Sequence, residues 1–563
     1  GWLYRPDAEA CGIGAVIVPP FGYEALCAHR ALRHLARDAA GAGFIAVRFD
    51  LDGSGDSAGD EADPDRIEAW QDSIHDACDL ARGAGAEQLV LVGVRLGATL
   101  AALAAPRRKD IAALIAVDAV VRGRDFLREA HALQAAMGLR PPPRPEADDG
   151  SREVHGYFVS ADTRAQLQAI DLTRSTEPPA PAVLLIERDD LPPRDGWSEQ
   201  LRRLGAALTV QRLPGLVEML DAPHLAAVPE KVLGACIERL RQTAAHSRAQ
   251  PGPRTRAALR PEARIRVGDS TGCERAVRID AALFAILSHP AAAAPSAGVV
   301  LLNSGSIPHT GPDRMYVDWA RRWAAHGMQV LRADLSGLGD SATRPGADEN
   351  RVYGKHGIAD TACIAAWLRQ RGTQRIVAGG ACSGAYHALR AAISGDAIDS
   401  VLLINPGALQ NVGVLDNLAT QQVNSYYNNQ LLGGRGWHRL ANGKASPDKL
   451  ARVAGWYAST YGGMFGHELL RRLRWPLRND LGMELQALAD RGVDLHFVFS
   501  ADDHSRARLA AQAGSAAKRL LRQNRMHTRI IDGPDHGFTQ RWGQRLLGKT
   551  LDEWLIPAGK KQR

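Results

Sequence analysis

Short runs of consecutive apolar residues, each followed by an amphipathic stretch, recur along the whole chain. In the first half the runs fall at 13–18, 44–51, 88–94, 111–120, 182–188 and 207–213, and helical periodicity fills 25–41, 66–84 and 97–105. In the second half, 264–269 and 276–288 read as a hairpin. Strands are then expected at 298–304, 328–335, 375–381, 398–405, 493–500 and 528–532. Apolar runs without polar alternation mark strands covered on both faces, and their alternation with helices predicts mostly parallel sheets flanked by helices. Two segments break the rhythm. Residues 121–180 include the proline cluster Pro141, Pro142, Pro143 and Pro145, and 406–490 carry aromatics such as Tyr426, Trp437 and Trp456. Each reads as a cap inserted beside its sheet.

The two halves repeat one another. Residues 50–57 read Asp-Leu-Asp-Gly-Ser-Gly-Asp-Ser and residues 334–341 read Asp-Leu-Ser-Gly-Leu-Gly-Asp-Ser, an offset of 284. Leu3, Arg5 and Pro6 fall opposite Leu287, His289 and Pro290 at the same spacing. Self-similarity at this period predicts a tandem duplication of one α/β fold rather than a short-repeat solenoid. The expected division is 1–245 (cap about 121–180), a linker at 246–258 rich in Arg, Gln, Pro and Ala, and 259–563 (cap about 406–490). Gly1 aligns inside a strand of the second copy, so a preceding segment is expected, and a missing signal peptide carries little weight.

The chemistry concentrates at 379–385, Gly-Gly-Ala-Cys-Ser-Gly-Ala, between a strand run and a helix run. Against the spacing Gly-x-Nuc-x-Gly of a nucleophile elbow, Gly380 and Gly384 take the glycine places and Cys382 the nucleophile place. Ser383 is the alternative nucleophile. A thiol needs a base and the base an orienting carboxylate, in the chain order nucleophile, acid, histidine. A strand ending in Ser500-Ala501-Asp502-Asp503 offers Asp503 as the acid, with Asp502 as the alternative. His536, in Asp532-Gly533-Pro534-Asp535-His536-Gly537, follows the last strand and is the expected base. Two backbone N–H groups should form an oxyanion hole: Ser383, and either Ser306 or Ile307 from the loop after the first long strand of that half. The first half repeats the frame as Gly93-Val94-Arg95-Leu96-Gly97, with Arg95 in place of a nucleophile. Asp189, Asp190 and His224 follow in order. Arg95 is expected to pair with Asp189 or Asp190 in a dead site, or to bind a carboxylate or phosphate ligand.

Composition narrows the reading. The chain has 563 residues, 45% apolar and 23% charged, ordinary for globular protein. No apolar run reaches the roughly 20 residues of a membrane span. The net charge of +7 comes without a dense Lys/Arg block interleaved with aromatics, which argues against a nucleic-acid partner. Seven scattered cysteines form neither a disulfide framework nor a Cys-x-x-Cys pair, as expected of a cytoplasmic protein. No His-Glu-x-x-His is present, and Asp502, Asp503 and His504 are adjacent on one turn, so neither a metal nor a cofactor is expected. The Gly-x-Gly-Asp-Ser repeats lack the frame of a phosphate loop and read as strand-to-helix turns.

These motifs resemble the α/β-hydrolase superfamily. Gly93 to Ala98, Glu187-Arg188-Asp189-Asp190-Leu191-Pro192-Pro193 and Pro19-Pro20-Phe21 are similar to the exosortase A system-associated hydrolases of type 2. The cysteine elbow and Asp535-His536 resemble the type 1 family, so the chain looks like a fusion of the two. The resemblance and the triad together point to acyl transfer: an ester or thioester substrate, carried on a carrier protein or coenzyme A, attacked by Cys382. Cysteine-elbow thioesterases are a second resemblance. A plain ester or lactone hydrolase and a non-catalytic ligand-binding pseudo-hydrolase are the alternatives. The first half would shape the entrance, bind a carrier or stabilise a homodimer.

Overall fold

The structure is a computed structural model that describes residues 1–7, 10–136, 138–139, 149–192, 195–247, 262–267, 270–291, 297–410 and 480–556. The expected second cap lies largely outside the described residues, as do most of the expected linker and the proline cluster at 141–145.

The first half contains β1 (Trp2–Tyr4), β2 (Ile13–Val18), β3 (Ile45–Arg48), β4 (Gln88–Val94) and β5 (Ile111–Val117). A hairpin of β6 (Arg152–Val154) and β7 (Tyr157–Val159) follows, then β8 (Ala182–Arg188) and β9 (Ala207–Leu213). Seven of these form one sheet in the order β1-β3-β2-β4-β5-β8-β9, parallel except for β1. The second half contains β10 (Ala263–Val267), β11 (Ser270–Arg278), β12 (Phe284–Pro290), β13 (Gly298–Leu302) and β14 (Gln329–Asp334). It continues with β15 (Ile376–Ala381), β16 (Ser400–Ile404), β17 (Asp494–Ser500) and β18 (Met526–Ile531). Their order is β10-β11-β12-β14-β13-β15-β16-β17-β18, antiparallel up to β14 and parallel beyond it. From β12 onward this order matches the first sheet strand for strand. The expected α/β architecture of mostly parallel sheets with flanking helices is observed.

Burial explains why these sequences become strands. Every residue of β2, β3, β13, β15 and β16 is buried, because helices cover both faces of each sheet. The helix Tyr23–Gly41 buries Cys27, Ala28, Ala31, Leu32, Leu35, Ala36 and Ala39, the i, i+3, i+4 stripe of a one-faced helix. Small alanines in that stripe let helix and sheet approach closely. The outer edge strand β9 has only exposed and half-buried positions. Among the described residues no helix is long and apolar enough to cross a membrane.

The halves are joined by buried charge. Asp56 lies 2.5 Å from Arg332 in the other half, and Asp340 pairs with Arg48 in the reverse direction. The two pairs are related by the 284-residue offset. The turns that carry them are built alike: Asp50 accepts the Asp56 N–H at 3.0 Å, and Asp334 accepts that of Asp340 at 2.9 Å. The Gly-x-Gly-Asp-Ser turns therefore do more than reverse the chain. Each points its aspartate across the interface. Arg321 and Arg314 add donors to the carbonyls of Gly55, Asp56 and Ser57. Arg332 is fully buried and also reaches Glu274 at 3.1 Å, so both of its charged neighbours are needed to offset its desolvation. The inserted hairpin β6–β7 docks on the second half as well: Glu153 accepts the Arg541 N–H at 3.1 Å. A Cβ at Gly156, in its tip, would stand 2.6 Å from the Thr539 carbonyl oxygen.

Candidate active site

At the end of β15 the chain bends sharply into the helix Ser383–Ser394. Cys382, at the bend, has φ 53° and ψ −109°, a conformation costly for a side-chain-bearing residue and held only by surrounding contacts. Its N–H donates to Ile404 O at 2.9 Å. The N–H of Ala381 donates to the Tyr316 hydroxyl at 2.7 Å from beneath. The flanking glycines are required by close backbone approach. A Cβ on Gly384 would lie 2.6 Å from Leu302 O, and one on Gly380 2.7 Å from the same oxygen.

His536 reaches the elbow from the loop after β18. Its Nδ1 lies 2.5 Å from Asp503 Oδ2, which leaves Nε2 to act on the Cys382 thiol. Asp503 caps the helix His504–Arg522, accepting the Ser505 N–H at 2.8 Å, so helix and imidazole fix the carboxylate together. Asp502 is exposed, and Asp503 is the carboxylate on His536. Two contacts tie the acid turn to the histidine loop. Asn405, at φ 39°, accepts the Ser500 N–H at 2.9 Å and donates to His536 O at 2.9 Å. The Ser500 hydroxyl donates to Pro534 O at 2.6 Å. Asp535 holds the same loop through the Thr539 N–H at 2.8 Å.

The charges favour an ion pair. Burial pushes the Cys382 thiol up, but the His536 charge and hydrogen bond outweigh it and hold the thiol below its ordinary value. Burial disfavours charge on His536, yet Cys382 and Asp503 raise it well above the usual histidine range. Burial also opposes the Asp503 charge, but the His536 hydrogen bond and charge lower it to about 2. A thiolate beside an imidazolium is the nucleophilic form of cysteine.

Ser383 is not poised as a nucleophile. It opens the helix, is buried, and its Oγ donates to Asn303 O at 3.0 Å and accepts the Gly305 N–H at 2.9 Å. Its backbone N–H helps lower the Cys382 thiol and belongs to the residue after the elbow, the place an oxyanion donor should occupy. Of the two expected second donors, Ile307 uses its N–H in a turn to Ser304 O at 3.1 Å, which leaves Ser306.

The first half repeats the elbow geometry with Arg95 at the bend. Arg95 has φ 52° and ψ −121°, and a Cβ on Gly97 would lie 2.2 Å from Pro19 O. The expected partner of Arg95 is corrected. Its Nη1 lies 3.1 Å from Asp118, its Nε 3.0 Å from Glu24 and its Nη2 2.7 Å from Glu129. Asp190 pairs with Arg188 instead, and Asp189 and His224 are exposed. The anion-ligand expectation is corrected by the same contacts: three carboxylates around one guanidinium repel an anion. Asp118 and Glu24 sit on a strand end and a helix start far apart in sequence. Only the alignment of Asp118 with Asn405, both one residue beyond a buried strand, was available as a signal.

A model of the serine aminopeptidase S33 family matches residues 28–167, a quarter of the chain and within the first half. A search of curated proteins finds no match. Similar solved structures include the proline iminopeptidase of Mycobacterium smegmatis, 16% identical over 43% of this chain and 94% of that one, TM-score 0.31. Est1E from Butyrivibrio proteoclasticus, solved with ferulic acid, is 19% identical over 43% and 94%, TM-score 0.33. The α/β hydrolase GrgF from Penicillium sp. sh18 is 16% identical over 44% and 94%, TM-score 0.32. In its matched segment, 28–167, the chain is similar to the serine aminopeptidase S33 family of α/β-hydrolases.

Proposed function

We propose that the second half is an acyl-transfer enzyme with a Cys382–His536–Asp503 triad. The reading rests on one arrangement: His536 stands between Asp503, at 2.5 Å, and the sulfur of a cysteine strained at φ 53°. The thiolate adds to the carbonyl carbon of an ester or thioester. The oxyanion so formed accepts the Ser383 N–H and a second N–H from the 303–307 loop, assigned to Ser306. Collapse expels the alcohol or thiol, which takes its proton from His536. The acyl group stays on Cys382 as a thioester until water, an alcohol or an amine attacks, returning a proton to His536. A thioester reacts more readily with amines than an oxygen ester does, which favours transfer or cyclisation over hydrolysis. The acyl donor would be carried on a carrier protein or coenzyme A. Seven free thiols accord with a reducing, cytoplasmic setting.

In this reading the first half is a duplicated α/β-hydrolase domain whose site has decayed. The shared strand order and the Arg95 elbow support that origin, and the motif resemblance to exosortase-associated hydrolases of types 2 and 1 agrees with it. The test is turnover of an acyl N-acetylcysteamine thioester with and without an amine acceptor. The wild type should release acid in water and amide with the amine. Equal turnover in Cys382→Ala would overturn the reading.

A further inference from the structure

The oxyanion loop of the second half, 303–314, is held from the first half. His309 in this loop is 2% exposed and is bracketed by two carboxylates. Its Nε2 lies 2.7 Å from Asp56 Oδ2 in the first half, and its Nδ1 2.7 Å from Asp334 Oδ2. Asp334 accepts from Asn303 Nδ2 at 2.7 Å, and that amide also donates to Ile307 O at 3.0 Å. Asn303 O accepts the Ser383 hydroxyl, which in turn accepts the Gly305 N–H. A series of hydrogen bonds thus runs from Asp56 through His309 and Asp334 to Asn303, and from Asn303 to Ile307 O and the Ser383 hydroxyl, next to the residues expected to supply the oxyanion N–H groups. At the far end of the loop, Arg314 donates to Gly55 O at 3.0 Å and Ser57 O at 2.9 Å.

The series runs one way. The mirror aspartate, Asp340, meets Arg48 and lies 3.5 Å from His29, which is on the helix Tyr23–Gly41. The residue 284 before His309 is Ala25, whose side chain has no group to donate. The loop Val18–Phe21 beside the Arg95 elbow therefore receives no such link. The half with the thiol is the one whose loop is pinned.

We propose that Asp56 is a positioning residue for the second half: through His309 it sets the backbone N–H groups that stabilise the oxyanion formed at Cys382. This rests on the acyl-transfer reading above. The first half then acts as a fixed brace for its partner's site rather than as an idle duplicate. Oxyanion donors act through placement, and a shift of about 1 Å can cost about 100-fold in rate.

The experiment compares Asp56→Asn, His309→Gln and Glu349→Gln in the full chain. Glu349 bridges the halves through Arg33 and His34 and makes no hydrogen bond of its own to the 303–314 loop, to Asp56 or to Asp334, so it reports simple loosening of the interface. Two rates are read: acylation by p-nitrophenyl acetate, which forms an oxyanion, and alkylation of Cys382 by iodoacetamide, which does not. Asp56→Asn and His309→Gln should each lower the acylation kcat by about 100-fold, with KM and alkylation within about threefold of wild type. Glu349→Gln should change neither rate. Acylation at the wild-type rate in either loop variant overturns the inference alone, as does an equal loss in Glu349→Gln. A wild type that p-nitrophenyl acetate never acylates at Cys382 overturns the acyl-transfer reading and the inference with it. Should Asp56→Asn unfold, His309→Gln, which keeps the Asp56–Arg332 pair, decides the matter.

Discussion

Arg95 Nη1 lies 3.1 Å from Asp118 Oδ2, and these two residues stand where Cys382 and Asn405 stand 287 positions later. In the second half, the strand-end amide braces the acid turn and the histidine loop beside Cys382. In the first, both positions are charged and are paired with each other. Close backbone packing around the glycines holds the same bend in both halves.

That pairing makes restoration by one change unfavourable. Arg95→Cys leaves the buried Asp118 facing the half-buried Glu24 and the exposed Glu129 without the cation that pairs them. It should lower stability by about 3–5 kcal/mol in urea unfolding. Asp118→Asn in the same chain should recover part of this, giving a clear coupling energy in a double-mutant cycle. Additive losses would mean that the two residues do not depend on each other.

Glycine at the elbow is a packing requirement in both halves. Gly384→Ala and Gly97→Ala each drive a Cβ into a carbonyl oxygen, at 2.6 Å and 2.2 Å, with no flexible side chain to yield. Each should destabilise its half by about 3 kcal/mol, measured by thermal or urea unfolding. Only Gly384→Ala should also slow alkylation of Cys382.

The thiolate depends on His536. In the wild type, alkylation of Cys382 should persist well below the ordinary thiol range, because its proton resides on the imidazole. In His536→Gln the profile should move up toward about 8.5, and the rate at pH 6.5 should fall about tenfold or more. An unmoved profile would show that the imidazole does not activate the sulfur.

Asp503 links the site to acid stability. Its carboxyl is held at about 2 against an ordinary 3.8, so its contribution is complete above about pH 4 and fades as the pH falls toward 2. Asp503→Asn should be less stable than wild type by about 2 kcal/mol at pH 7. The gap should narrow below pH 4. The same variant should lose about 10³–10⁴-fold in kcat, since the imidazole loses its orienting partner.

Most strands were readable because a sheet covered on both faces writes itself as an apolar run: 13–18, 88–94 and 182–188 match the observed bounds residue for residue, as does the exposed edge run 207–213. The meeting of Cys382, Asp503 and His536 was readable because small residues around a bend constrain that bend locally, and the other two follow strand ends. What stayed hidden is set by side chains that meet from distant elements. Asp56 read as part of a turn, and nothing local says that its carboxylate crosses to His309 and Arg332. Tyr316, beneath the elbow, and Asn405, between two loops, are likewise defined only by what surrounds them. Arg95 was assigned to later acids by chain order, while packing gave it an earlier helix start and the neighbouring strand end.

The most direct test is the mass of the intact protein after brief exposure to an acyl N-acetylcysteamine thioester, followed by peptide mapping. The account predicts one added acyl group, located on Cys382, released by hydroxylamine and absent from Cys382→Ala. An unmodified wild type, or an adduct that persists when Cys382 is replaced, would contradict it.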